Sequence, residues 1–80
     1  MNNTSEKLIQ FIKSLLITPQ EITNDSSLFK EGILTSLDLV SLLDFIEKEF
    51  KVTVPPEDID YVNFDTVANI SNYLKKYNIN

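Results

Sequence analysis

The apolar residues of this chain recur at helical rather than strand spacing, and that period limits the folds open to it. Leu8, Phe11, Ile12, Leu15 and Leu16 fall at i, i+3, i+4, i+7 and i+8, the stripe of an amphipathic helix over about residues 5–16. Leu39, Leu42, Leu43, Ile46 and Phe50, with Val40 beside them, make a second stripe over 36–50. Val67, Ile70, Leu74 and Tyr77 make a third. Val52-Thr53-Val54 alternates like a strand, but it is too short to build a sheet and Pro55-Pro56 stops it. Pro56-Glu57-Asp58-Ile59 begins one short helical turn, with proline at its first position and acids behind it. The predicted fold is therefore all-α, a small four-helix bundle of three main helices and one short one. Eighty residues suffice for a single domain, 1–80, with a single core.

Between the first two stripes, residues 17–35 show no period, and Pro19 ends the first helix. A connection that long inside a small domain is expected to be functional or to fold back on the body. Leu28 and Phe29 are the residues expected to anchor it in the core, Asp25-Ser26-Ser27 reads as a turn, and Gly32 frees the backbone just before the next helix. Thr35-Ser36-Leu37-Asp38 fits the pattern in which a hydroxyl residue caps a helix and an acid three positions on caps it in return. Thr35 is then the cap, and Ser36 is the first helical residue with its side chain toward solvent. Asp65 or Thr66 caps the last helix, and Lys75 and Lys76 suit its C-terminal end.

Composition removes most chemistry. The chain has no histidine, no cysteine and no arginine, so it lacks the commonest general base, thiolate metal sites and any Ser-His-Asp triad. No catalytic residue and no metal ligand is expected. The acidic run Glu57-Asp58-Ile59-Asp60 fails as a calcium loop, because the sixth and twelfth positions counted from Asp58 are Asn63 and Asn69. Twelve acids against seven lysines give a net charge of −5, which disfavours nucleic acid and favours basic protein partners. The longest unbroken apolar run is Leu15-Leu16-Ile17, too short for a membrane span, and the start MNNTSEKLIQ lacks the pattern of a signal peptide. A cytoplasmic monomer is the expectation.

Ser-Leu occurs at Ser14, Ser27, Ser36 and Ser41, so the dipeptide alone singles out none of them. A serine at a helix start is ordinarily a cap. Ser36 differs because Thr35 already supplies the capping oxygen, and because a long loop meeting a helix N-terminus suits a phosphate. The segment Gly32-Ile33-Leu34-Thr35-Ser36-Leu37-Asp38-Leu39-Val40, followed by Leu42-Leu43-Asp44-Phe45-Ile46-Glu47-Lys48-Glu49-Phe50, resembles the acyl and peptidyl carrier proteins. Asp25-x-x-Leu28-Phe29, Asp58-Ile59 and Phe64-Asp65-Thr66-Val67 extend the resemblance over almost the whole chain, the latter two to the family's third-helix region and the start of its fourth. It implies the bundle fold and the covalent attachment of 4′-phosphopantetheine from coenzyme A to Ser36 by a phosphopantetheinyl transferase using Mg²⁺. The thiol of that arm would hold acyl or aminoacyl groups as thioesters, loaded by a ligase or adenylation enzyme and used by downstream synthases or transferases of fatty-acid, polyketide or nonribosomal-peptide type. Thr35 departs from the pattern, since the family usually has Asp before the serine, and this bears on recognition by the transferase.

The resemblance also implies that the second helix is the docking surface, with Leu37, Asp38, Val40, Ser41, Asp44 and Glu47 as contact candidates. Taken without it, the acids are a solvated helix face and Leu37 is as readily a core residue. Within the family, the four-residue gap from Gly32 to Ser36 and Gly-Ile-Leu-x-Ser-Leu are similar to D-alanyl and other aminoacyl carriers, whereas Leu37-Asp38-Leu39-Val40 is similar to fatty-acid and polyketide carriers. A rival reading is a degenerate carrier-like helical adaptor that acts by docking without a prosthetic group.

Overall fold

The structure, a computed structural model, describes residues 3–79. Four α-helices follow in order: α1 (Asn3–Leu15), α2 (Ser36–Phe50), α3 (Tyr61–Phe64) and α4 (Val67–Leu74). Short 3-10 turns at Pro56–Asp58 and Lys75–Tyr77 precede α3 and extend α4. No strand occurs among the described residues.

The stripes become the core. Leu8 and Ile12 of α1, Leu42 and Ile46 of α2, and Val67, Ile70 and Leu74 of α4 are all fully buried. Helices α1 and α2 meet through stacked rings, Phe11 on Phe45 with centroids 4.3 Å apart, and through Lys7 paired with Glu49 at 3.0 Å. Helix α4 reaches α1 through the Ser5 and Ser71 hydroxyls, 3.0 Å apart. The second stripe is narrower than its spacing suggests. Leu39, Leu43 and Phe50 are only half-buried, and Val40 is 64% exposed.

The long connection folds back without regular structure. Ile22, Leu28 and Leu34 are buried, while Phe29, expected beside Leu28, is half-buried. Asp65, between α3 and α4, is what ties the loop down. Its carboxylate accepts from the amides of Phe29 (2.8 Å) and Lys30 (3.0 Å) and from the Ser27 hydroxyl, and its carbonyl accepts from the Leu28 amide at 2.7 Å. The cap of α4 is therefore Thr66, whose hydroxyl accepts from the Asn69 amide, and Asp65 serves the loop instead. Gly32 closes the loop at φ 74°, a conformation that favours glycine, with nothing near the place of an added Cβ.

The short helix lies later than expected. Pro56 does begin a turn, but only a 3-10 one that stops at Asp58. The α-helical turn is Tyr61–Phe64, capped by Asp60, whose side chain accepts from the Asn63 amide. Four residues cannot show a 3.6-residue period, so this element left no signal in the apolar pattern.

Candidate functional site

Thr35 has an extended backbone and its hydroxyl accepts from the Asp38 amide at 3.2 Å, while the Asp38 carboxylate accepts from the Thr35 amide at 2.9 Å. The reciprocal cap is complete without Ser36. The hydroxyl of Ser36, the first residue of α2, is exposed and is not spent on capping. The Leu39 amide is the first to reach a helical acceptor, the Thr35 carbonyl at 3.0 Å, so the amides of Ser36 and Leu37 lie ahead of the α2 ladder. Their dipoles and that of the helix favour an anion on the Ser36 oxygen.

Beside Ser36 is an open cleft of about 340 Å³. Phe29 of the long loop, Leu39 of α2, and Ile59, Asp60, Tyr61 and Phe64 of the α3 region line it. Its wall is held from behind. The Asp58 carboxylate accepts from the Tyr73 hydroxyl (2.7 Å) and the Lys76 ammonium (3.2 Å), and Tyr77 donates to the Thr53 carbonyl at 3.0 Å. The Tyr73 hydrogen bond, and after it the one from Lys76, hold the Asp58 carboxyl below its usual range. Burial, then hydrogen bonds with Tyr77 and Asp58, push the Tyr73 phenol up. At Asp65 burial alone would raise the pKa, but the Ser27 hydroxyl and the Lys30 and Phe29 amides outweigh it and hold the carboxyl low.

The docking candidates occupy different situations. Leu37 is 80% exposed, not core, and Val40 and Ser41 are exposed with it. Asp38 is engaged in the cap, and Asp44 pairs with Lys48 at 3.1 Å. Glu47 is half-buried and accepts from the Val54 amide at 2.9 Å, fixing the chain after α2 turns at Lys51 in the left-handed region. Sequence reasoning missed Asp60 and Tyr61, which line the cleft with Ser36 beside and on α3. The sequence signal was Asp60 three residues before Asn63, a capping arrangement without an apolar run behind it.

These residues fit a phosphopantetheine group. An exposed hydroxyl free of capping duty stands at a helix N-terminus that favours its phosphate, and the adjoining cleft has an apolar wall against which an arm can lie. The group supplies the thiol that this chain lacks.

The family model described as the phosphopantetheine attachment site matches residues 6–74. The acyl carrier protein of Buchnera aphidicola subsp. Baizongia pistaciae is 33% identical over 78 residues, covering 96% of this chain and 97% of that protein. The D-alanyl carrier protein of Bacillus velezensis is 42% identical over a shorter stretch of 50 residues, 62% of this chain and 64% of that one. Among solved structures, a chain in the Bradyrhizobium japonicum glycine:[carrier protein] ligase complexed with its cognate carrier protein and an analogue of glycyl adenylate superposes with a TM-score of 0.73. It is 28% identical and covers 90% of this chain and 96% of that one. Whole-length relatives, the all-helical fold and the attachment-site match agree: this chain belongs to the acyl and peptidyl carrier protein family, and 4′-phosphopantetheine is its cofactor.

Proposed function

We propose that this chain is a freestanding, non-catalytic carrier whose Ser36 accepts 4′-phosphopantetheine. The observation that carries the reading is the division of labour at α2: Thr35 caps the helix, leaving the Ser36 hydroxyl exposed at its N-terminus. In the transfer, Oγ of Ser36 forms a bond to the phosphorus of the pantetheinyl half of coenzyme A and gives up its proton to a base of the transferase or to solvent, while the bridging oxygen leaves that phosphorus with its electron pair as part of the released nucleotide bisphosphate. The partners are a phosphopantetheinyl transferase, a loading ligase and enzymes that consume the thioester. The whole of 1–80 acts as one domain in the cytoplasm.

For cargo, whole-length similarity to acyl carriers supports an acyl group. An aminoacyl group is the second reading, favoured by the D-alanyl carrier and by the chain matched in the glycine:[carrier protein] ligase complex. Intact-protein mass spectrometry after incubation with coenzyme A, Mg²⁺ and a broad-specificity transferase tests the site. The wild type is expected to gain one phosphopantetheinyl mass and Ser36→Ala none. A gain on Ser36→Ala would move the acceptor elsewhere. No gain on either, with several transferases, would favour a docking adaptor without a prosthetic group.

A further inference from the structure

We propose that Lys30 is a positioning residue for the attached arm: its ammonium holds the phosphate on Ser36 and so lays the first carbons of the arm along the cleft. The inference rests on Ser36 being the acceptor. Phe29 of the long loop, Tyr61 of α3 and Ser36 all line one cleft. Lys30 follows Phe29, and its own amide is fixed on the Asp65 carboxylate at 3.0 Å. Its ammonium lies 5.8 Å from the centroid of the Tyr61 ring, so the side chain links the loop to α3 at the cleft. The Leu34 amide donates to the Leu28 carbonyl at 2.8 Å, which closes the loop on itself and leaves Lys30 and Ser36 each two residues from the closure.

The ion pairs among the described residues take Lys7, Lys48 and Lys76, and Lys30 is in none of them. The other lysines set over rings, Lys7 and Lys76, rest on Phe50, Tyr73 and Tyr77, none of which lines this cleft. A ring holds an exposed ammonium loosely, whereas a hydrogen bond from an ammonium to a phosphate oxygen carries the charge of both partners and is stronger. The surrounding charge makes such a cation useful. Asp60 lines the cleft, and Asp38 stands in the cap two residues beyond Ser36. A phosphodiester keeps one negative charge at neutral pH and brings it among these carboxylates, so a cation at the cleft offsets their repulsion. With the phosphate held between the start of α2 and Lys30, the carbon bearing two methyl groups next to it is directed to the Phe29 and Tyr61 rings.

The test compares the wild type with Lys30→Gln, Lys30→Arg and Lys75→Gln, each converted to the form that carries the arm and confirmed by one added phosphopantetheinyl mass. Two signals are read by NMR: the phosphorus resonance of the diester, and the Overhauser effects from the two methyl groups next to it to the rings of Phe29 and Tyr61. The wild type is expected to show those effects, and they should fade as salt rises from about 0.05 to 0.5 M. Lys30→Gln is expected to lose about half of their intensity or more and to move the phosphorus resonance. Lys30→Arg, which keeps the charge, should restore both, and Lys75→Gln, which removes a lysine outside the cleft, should match the wild type. Lys30 is exposed, so thermal midpoints without the arm should agree within a few degrees and report an intact fold. Methyl-to-ring effects absent from the wild type, or unchanged in Lys30→Gln, would overturn the role of Lys30. A wild-type chain that gains no phosphopantetheinyl mass would overturn the acceptor assignment instead, so the two failures are distinguishable.

Discussion

At the scale of single residues, Asp65 does more for this fold than its place in the sequence suggests. It is 5% exposed, yet its carboxylate is offset by two amides and a hydroxyl from one loop. Asp65→Ala leaves the Phe29 and Lys30 amides without their acceptor and is expected to cost roughly 1–3 kcal/mol. Asp65→Asn keeps an oxygen for those amides, and its NH₂ can donate to Ser27, so its cost at neutral pH is expected to be about 1 kcal/mol or less. Urea denaturation of both variants checks the order. The pKa shift adds a pH dependence with a definite sign. Asp65 is held below its usual 3.8, so the native state favours the ionised form. That contribution is complete above the unfolded value and is lost as pH falls below about 4 through the folded one. Asp58, also held low, acts in the same direction. Stability should therefore fall on acidification below about pH 4, and Asp65→Asn should show a shallower fall than wild type.

At the scale of elements, the start of α2 separates folding from function. Thr35→Ala removes one half of the reciprocal cap and is expected to cost about 1 kcal/mol, measured by chemical denaturation. Thr35→Asp retains a capping oxygen and restores the residue usual in the family at this place. It is expected to hold stability within about 0.5 kcal/mol of wild type. If the Thr35 departure bears on the transferase alone, the same variant should raise the rate of mass gain on Ser36 without moving the denaturation midpoint. A change in midpoint that parallels the rate would instead assign the effect to the fold. Helix α3 is too short to hold itself together. It stands because Asp60 caps it, Phe64 is buried beneath it, and the Asp58–Tyr73–Lys76 cluster holds the preceding turn against α4.

At the scale of the whole molecule, one core joins residues from α1, α2, α4 and the long loop. Leu42 is fully buried among them, and Leu42→Ala is expected to cost about 2–5 kcal/mol, the range for a cavity left in a packed core. For a domain this small that is a large share of the total, roughly 4–12 kcal/mol. A lowered urea midpoint with an unchanged slope would place the effect on stability alone. Ser36 lies outside that core, so Ser36→Ala should leave the midpoint unchanged while abolishing modification. Attachment at Ser36, as proposed, would thus leave undisturbed the body that presents it.

Local chemistry alone was enough to read the three long helices, the Thr35 cap and the exposure of Ser36. Each depends on contacts within a few residues: apolar spacing at 3.6, a hydroxyl with an acid three positions on, and a glycine at a tight turn. The family resemblance rested on the same local run. The roles of Asp65, Glu47 and Tyr73 were beyond its reach, because each pairs with a segment distant in the chain or folded back upon it, 35 residues or more away for Asp65 with Ser27, Phe29 and Lys30. The cleft was hidden for the same reason. It exists only where α3, a turn with no period of its own, lies across from the start of α2. The choice between Leu37 as core and Leu37 as surface likewise waited on packing, since an apolar side chain at the edge of a stripe is buried only if another element arrives to cover it, and here none does.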